Sequence, residues 1–295
     1  MVLGIIGSNG RLAGDLIRLA SSNEIDLRLS SSKISSNSTL LDLSQQIEFG
    51  DLDDLFYEVD SLVYLASTMT ENITFLSKQS KTYLMNVANL SIVAKWCRIN
   101  KKHLIYVSGG IVYRDIHANA ILEDSEIGLN AFGGIYGESK YLGEIEIGKE
   151  ILQGLHACVI RPSSIYGGYT LKSGMIENFV LRALKDQKIE IYPPFEQIIG
   201  FVHAHDVATS ILFAHSNNIN GTFNISQSEN INVLKICEFI ANMTDCTLIL
   251  KSEKGCGSVS ELDRYKLANN KIKELGWRER YDIETGIWQC INAVK

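Results

Sequence analysis

MVLGIIGSNGRLAGDLIRLASS, residues 1–22, passes from an apolar stretch through a glycine-bearing turn into a segment of helical spacing. The apolar stretch predicts a strand ending at Gly7. Beyond the turn, Leu12, Leu16, Leu19 and Ala20 fall on one helical stripe, so an amphipathic helix follows at once. Gly7 suits a tight turn after a strand. Gly10 lets backbone approach a pyrophosphate, whose charge meets the free N–H groups of the next helix, and Ala13 is small enough for that helix to pack on the strand. Glycine turns are common; the position between a first strand and an amphipathic helix makes this one a dinucleotide signal. Gly7, Ser8, Asn9, Gly10, Arg11 and Leu12 are therefore candidate cofactor contacts.

Working outward, short apolar runs alternate with helical segments. IDLRLSSS (25–32), STLLDLS (38–44), SLVYLAS (61–67), KHLIYVS (102–108) and HACVIRPSSIYG (156–167) read as strands two to six. Helices are predicted around 52–59, over about 71–100 and from Tyr136. This alternation implies parallel strands with crossover helices on both faces, a doubly wound α/β sheet of the Rossmann type. After Gly167 the order changes to helix (173–187), strands (189–194 and 198–206), helix (207–216), strand (221–227), helix (232–245) and two terminal helices. We expect a dinucleotide-binding domain over 1–166, with a contribution from 198–226, and a small mixed C-terminal substrate lobe from 167–197 and 227–295. Trp96, Trp277 and Trp288 are read as packing residues.

The composition narrows the function. The 295 residues are 45% hydrophobic and 21% charged, as in a globular protein with a sizeable core. A net charge of −6 gives no electrostatic support for a nucleic-acid partner. No apolar run approaches the roughly 20 residues that span a bilayer. The chain enters its first strand without a basic leader and cleavage site, so a cytoplasmic protein is expected. The six cysteines form no C-x-x-C pair and read as reduced thiols. His203 and His205 in HAHD share a face if they lie on a strand, but no further ligand cluster accompanies them, and no metal is predicted.

Two further patterns carry chemistry. NAD-binding folds place a carboxylate at the end of the second strand, on the ribose 2′-hydroxyl. Here that stretch is RLSSSK (28–33), without one. Ser30, Ser31, Lys33 and Arg11 could instead hold a 2′-phosphate, favouring NADP over NAD; alternatively Lys33 is solvated and the hydroxyls are loop residues. Asp42 either meets the adenine or caps a turn, and Leu43 and Ala66, after the third and fourth strands, are further candidate cofactor contacts. Tyr136 and Lys140 lie four apart, one above the other on a helix. A free tyrosine is almost fully protonated at pH 7, and a neighbouring ammonium favours its phenolate, so the pair can exchange a proton with a carbonyl or hydroxyl while hydride moves at carbon. Lys140 can also grip the cofactor ribose. Ser108, ending the fifth strand, can bond the same substrate oxygen.

In this order the motifs resemble the extended short-chain dehydrogenase/reductases, the NAD(P)-dependent epimerase/dehydratase group acting largely on nucleotide sugars. GSNGRLA resembles the glycine loop, YVSGGIVY the strand-five motif, YGESKYLGE the Y-G-x-S-K helix, RPSSIYG the end of strand six, FVHAHDVA the F-I-H-V-D-D-V-A motif and KELGW the C-terminal sign-off. NVANLSIVAKWC resembles the N-V-x-G-T helix and implies a structural, proton-relay role for Asn86. Three departures follow. Counted back from Val112, the usual catalytic Ser/Thr position falls on Gly109, so Ser108 is assigned its role from the preceding position. The arginine that contacts the sugar-nucleotide diphosphate is replaced by Ile199, which moves that contact to Arg182 or Arg264, or opens the site to a non-sugar ketone. The acid of strand two is absent. The resemblance implies a homodimer through the helices from about Asn72 and Tyr136, and oxidoreduction at a sugar ring carbon. A nucleotide-sugar 4-ketoreductase leads, a 4-epimerase with tightly held NAD is second, and a dinucleotide-sensing regulator without turnover is third. Gly110, where dehydratases supply acidic residues, argues against a dehydratase.

Overall fold

The computed structural model describes residues 1–33, 38–68, 76–118, 120–130, 133–169, 174–229, 231–252 and 264–294, with the backbone alone at 76–79 and 264. The strands are β1 (Val2–Ile6), β2 (Asp26–Ser31), β3 (Thr39–Leu40), β4 (Ser61–Tyr64), β5 (His103–Val107), β6 (Ala157–Pro162), β7 (Ser164–Tyr166), β8 (Lys188–Ile191), β9 (Ile198–Ile199), β10 (Phe201–His203), β11 (Gly221–Ile225), β12 (Thr247–Leu250) and β13 (Arg264–Tyr265). The α-helices are α1 (Arg11–Ser22), α2 (Phe49–Phe56), α3 (Leu76–Tyr83), α4 (Asn89–Ile99), α5 (Gly134–Ile151), α6 (Met175–Asp186), α7 (Ala204–Ser216), α8 (Val233–Thr244), α9 (Asn270–Glu274) and α10 (Ile283–Val294).

Seven strands form one parallel sheet in the order β3-β2-β1-β4-β5-β6-β11. The order reverses between β1 and β4, and a doubly wound sheet opens its ligand crevice at that switch point, beyond the carboxyl ends of the strands. Ile6 pairs with Ser30 on one side and Tyr64 on the other, and Tyr64 pairs with Tyr106. Gly7, Ser31 and Val107 therefore lie along one edge. Strands covered on both faces are apolar throughout, with successive side chains entering opposite cores. Leu62, Tyr64, Leu104 and Tyr106 pack with Leu90, Trp96 and Ile147 beneath α4 and α5. Val63, Ile105 and Ile160 pack on the other face with Leu16 of α1 and Ile211 of α7. A third cluster joins α6, α8 and α10 with β8. Among the described residues no helix is long and apolar enough to cross a membrane.

Several sequence expectations change. The predicted sixth strand divides after Pro162: Ser163 N donates to Ile225 O of β11, and Ser164 N to Gly200 O, so the chain exchanges partners and β7 pairs with β10. The stretch 198–206 divides at Gly200 and becomes helical at Ala204, earlier than predicted. His203 caps that helix, its Nδ1 accepting from His205 N (3.2 Å), so the two histidines do not share a strand face. His203 stacks on Tyr281 at 4.0 Å, and Asp206 accepts from the backbone N–H groups of Arg280 and Tyr281. Trp96 and Trp277 are buried, but Trp288 is 60% exposed. The helix predicted over 71–100 is interrupted by a π-helical turn at Leu84–Ala88. Its predicted start at 71–75, including Asn72, lies outside the described residues, as does Cys256.

Buried histidines give the fold an acid limit. His103 Nδ1 contacts Ser61 Oγ (3.2 Å), which also contacts His215 Nδ1 (2.8 Å). Burial pushes His103 and His203 down to about 4 and lowers His205 and His215 as well. Groups protonated more readily when unfolded stabilise the native state above their unfolded pKa of about 6.5 and lose that contribution as pH falls to the folded value. Asp206, raised by burial to about 6, and Asp15, also raised, oppose this over part of the range. Urea unfolding is expected to show a net loss of about 2–3 kcal/mol between pH 7 and pH 5, reduced in His103→Gln. Equal stability at both pH values would exclude these histidines as the source.

Candidate active site

The glycine loop closes on the switch point. Gly7 has φ +94°, and a Cβ there would lie 2.7 Å from Ala66 N, so glycine is required. Gly7 N and Ser8 N both donate to Ser30 O at 3.0 Å, tying the turn to the end of β2. Helix α1 starts at Arg11 with no side-chain cap and no acidic residue in its first turn. Its first N–H groups are left for an anionic ligand. Ser8 Oγ and Ser30 Oγ are buried without a partner, although buried hydroxyls are normally bonded. Leu12 and Leu43 are buried, and Asn9 is exposed at the loop tip.

The candidate 2′-phosphate residues separate. Arg11 does not turn to β2: its Nη1 pairs with Glu177 Oε1 at 2.9 Å and donates to Ile165 O at 2.8 Å. This corrects its assignment, because the guanidinium is held by the buried Glu177 carboxylate at α6. Ser31 Oγ donates to Lys33 O at 2.5 Å and contacts Ser38 Oγ at 3.0 Å. Lys33 is exposed. Asp42 caps a turn, its Oδ1 accepting from Ser44 N at 3.0 Å, and the Ser44 side chain, followed by this backbone bond, holds its carboxyl below the usual range.

Helix α5 brings Tyr136 and Lys140 to the sheet edge. Lys140 is buried, its Nζ donating to Val107 O at 2.9 Å and lying 5.8 Å from the Tyr136 ring centre. Burial lowers the amine to about 7, against the pull of the Glu144 carboxylate. Burial raises the Tyr136 phenol, and the nearby Ser67 side chain opposes that rise. Asn86 holds this arrangement together. Its Oδ1 accepts from Thr68 N (3.1 Å), and its Nδ2 donates to Thr68 O (3.1 Å) and Ser139 Oγ (2.9 Å). Ser139 Oγ donates in turn to Tyr136 O (2.7 Å). Asn86 thus fastens the segment that follows β4, which holds Ser67 and Thr68, to the helix carrying the phenol.

Ser108 does not join that group. Its Oγ donates to Glu144 Oε1 at 2.5 Å, two helical turns beyond Tyr136. Arg161 grips Glu144 through Nη2–Oε2 (2.6 Å) and Nε–Oε1 (3.0 Å), and donates from Nη1 to Tyr113 Oη (2.9 Å). Tyr113 Oη donates to Asn224 Oδ1 at 2.6 Å. This buried network ties β5, α5, β6 and β11 together, so the substrate role assigned to Ser108 is corrected: its proton is already donated. A Cβ at Gly109 would meet nothing nearer than Ile111 Cγ2 at 3.7 Å. The Tyr265 hydroxyl rests against Gly110.

Residues 3–226 match the family model described as NAD dependent epimerase/dehydratase family. The chain belongs to this family. Among curated relatives of the epimerase/dehydratase family, a putative UDP-glucose 4-epimerase of Methanocaldococcus jannaschii is 29% identical over 64% of this chain and 61% of its own length. A trifunctional UDP-glucose 4,6-dehydratase/UDP-4-keto-6-deoxy-D-glucose 3,5-epimerase/UDP-4-keto-L-rhamnose-reductase of Arabidopsis thaliana is 21% identical over 78% of this chain and 35% of its own length. The chain therefore spans about a third to three fifths of these relatives. The fold matches the crystal structure of UDP-N-acetylglucosamine 4-epimerase from Bacillus cereus with a TM-score of 0.83 at 19% identity, covering 99% of this chain and 96% of that one. It also matches a Thermus thermophilus UDP-glucose 4-epimerase complex with NAD, with a TM-score of 0.82 at 14% identity, covering 99% and 98%.

The epimerase/dehydratase family's dinucleotide fits the residues present. The uncapped start of α1 offers N–H donors, and the unpartnered Ser8 and Ser30 hydroxyls lie beside it. Sequence reasoning missed Ser67, Glu144 and Tyr265. Ser67 closes SLVYLAS just beyond Ala66, and Glu144 continues the i, i+4 series of Tyr136 and Lys140; both could have been found there. Tyr265 has no local signal. Ile199 forms the short pair of β9 with β13, and Arg182 lies on α6; the Arg264 side chain is outside the described residues.

Proposed function

We propose that this chain is an NAD(P)-dependent oxidoreductase acting at C4 of a nucleotide sugar, with 4-keto reduction its leading activity. One observation carries the reading: Tyr136 and Lys140 meet at the sheet edge, with Ser67 near the phenol, on the edge where the glycine-lined start of α1 is uncapped. When bound, the nicotinamide supplies or accepts the hydride. Tyr136 Oη holds the proton given to the sugar oxygen, and Ser67 orients that hydroxyl. Lys140 supports the phenolate that remains, and an amine near pKa 7 can do so without locking a permanent charge in the site. Asn86 positions Ser67 and Tyr136 relative to one another. Residues 1–166 with 198–226 hold the dinucleotide, 167–197 with 227–295 the substrate, and α4 and α5 pair two copies in the cytoplasm.

Reduction is favoured over 4-epimerisation by Ser31, which occupies the end of β2 in place of an acid, with Lys33 exposed nearby. Similarity to the putative UDP-glucose 4-epimerase supports the second reading. Mass spectrometry of acid-released nucleotide separates them. A reductase is expected to purify largely empty and bind NADPH; an epimerase purifies with stoichiometric NAD. Lys33→Glu is expected to shift the NADPH/NADH affinity ratio towards NADH by about tenfold, the loss of one charge-assisted contact. An unchanged ratio removes Lys33 from the 2′-phosphate site.

A further inference from the structure

The Ser108–Gly109–Gly110 turn has no hydroxyl free for a substrate. Ser108 donates to Glu144, and the two glycines carry none. A distant segment of the chain crosses this turn. Tyr265 is fixed through its backbone, its carbonyl accepting from Gly200 N at 2.7 Å while β13 pairs with β9. The following residues are also tied: Ile121 N donates to Lys266 O (3.0 Å), and Leu267 packs with Tyr113, Ile116 and Ile121. From this support the Tyr265 side chain reaches Gly110, where any Cβ would collide with the phenolic oxygen and lie 2.6 Å from Leu267 Cδ1. The hydroxyl bonds to no described residue. It lies within electrostatic reach of Tyr136, and burial keeps it protonated. Tyr265 is only partly buried, so this O–H can be offered to a ligand.

We propose that Tyr265 supplies the substrate-facing hydroxyl that Gly109 lacks, donating to the sugar oxygen beside Tyr136. The inference rests on the nucleotide-sugar reading above. It accounts for both glycines: a side chain at 110 would exclude the phenol, and the open ground at 109 leaves room for the sugar.

The test compares calorimetric titrations of cofactor-loaded protein with UDP-glucose and with UDP alone, so that only the sugar contact differs. Tyr265→Phe keeps the ring and removes the hydroxyl. Its Kd for UDP-glucose is expected to rise about three- to tenfold, the loss of one neutral hydrogen bond, with that for UDP unchanged. Adding Gly109→Thr, which places a hydroxyl in the open position, is expected to restore UDP-glucose binding. Gly110→Ala, which displaces the phenol without altering it, reproduces the Tyr265→Phe result. Unchanged UDP-glucose affinity in Tyr265→Phe, or an equal loss for UDP, overturns the assignment. Wild-type protein that binds neither compound overturns the nucleotide-sugar reading itself, and the role of Tyr265 falls with it.

Discussion

Tyr136→Phe is expected to lower turnover by about 10²- to 10⁴-fold while leaving dinucleotide binding in place, because general acid–base catalysis contributes in that range. The substitution keeps the ring over Lys140 and removes only the phenolic oxygen. The glycine loop belongs to different elements, β1 and α1, so cofactor affinity reads the integrity of the fold independently of the proton transfer. Steady-state rates with fluorescence titration of the dinucleotide check both halves. The pH profile adds a second criterion. As pH rises through about 7, Lys140 loses its proton and its support for the phenolate, so the wild-type rate is expected to bend there. The residual rate of Tyr136→Phe should show no such bend. A variant with wild-type turnover would remove Tyr136 from the chemistry.

Arg161→Met is expected to destabilise the protein by about 3–5 kcal/mol, the cost of leaving a buried carboxylate without its partner. Both members of the Arg161–Glu144 pair are buried, and the guanidinium also reaches Tyr113. Glu144 would keep one donor, the Ser108 hydroxyl, for a carboxylate that now has three. Removing both charges in Arg161→Met/Glu144→Met should cost much less than the sum of the single changes, because neither ion is then stranded. Ser108→Ala should cost only about 1 kcal/mol. Urea unfolding of the wild type, the two single Met variants, the double variant and Ser108→Ala decides the matter. Additive losses in the double variant would show that the network acts as independent contacts.

The centre of the sheet was legible because β1, β4, β5 and β6 are buried on both faces and α1 keeps a strict stripe. Leu12 and Leu16, read as a helical face, are buried in the same core as Leu3 and Ile5. The Tyr136–Lys140 spacing was legible because one helical turn separates the two residues on any α-helix. What escaped depends on contacts between distant segments. Nothing in HLIYVS announces that the Ser108 proton belongs to Glu144, 36 residues later. The pairing of Arg11 with Glu177 is equally remote, and a basic residue beside a phosphate loop reads naturally as an anion ligand. His203 was misread for a local reason: FVH is a strand, but a histidine that caps its own helix ends one there.

The π-helical turn at Leu84–Ala88 constrains what lengths this chain can have. It holds one more residue than an α-helical turn, and that surplus presents Asn86 to Thr68 while α4 keeps Trp96 in the core. Deleting a single residue there would rotate everything on one side of the cut by about 100° relative to the other. Either the asparagine or the tryptophan would then face the wrong way. Substitutions elsewhere along α3 and α4 can be absorbed one at a time, whereas insertions and deletions between Tyr83 and Asn89 cannot.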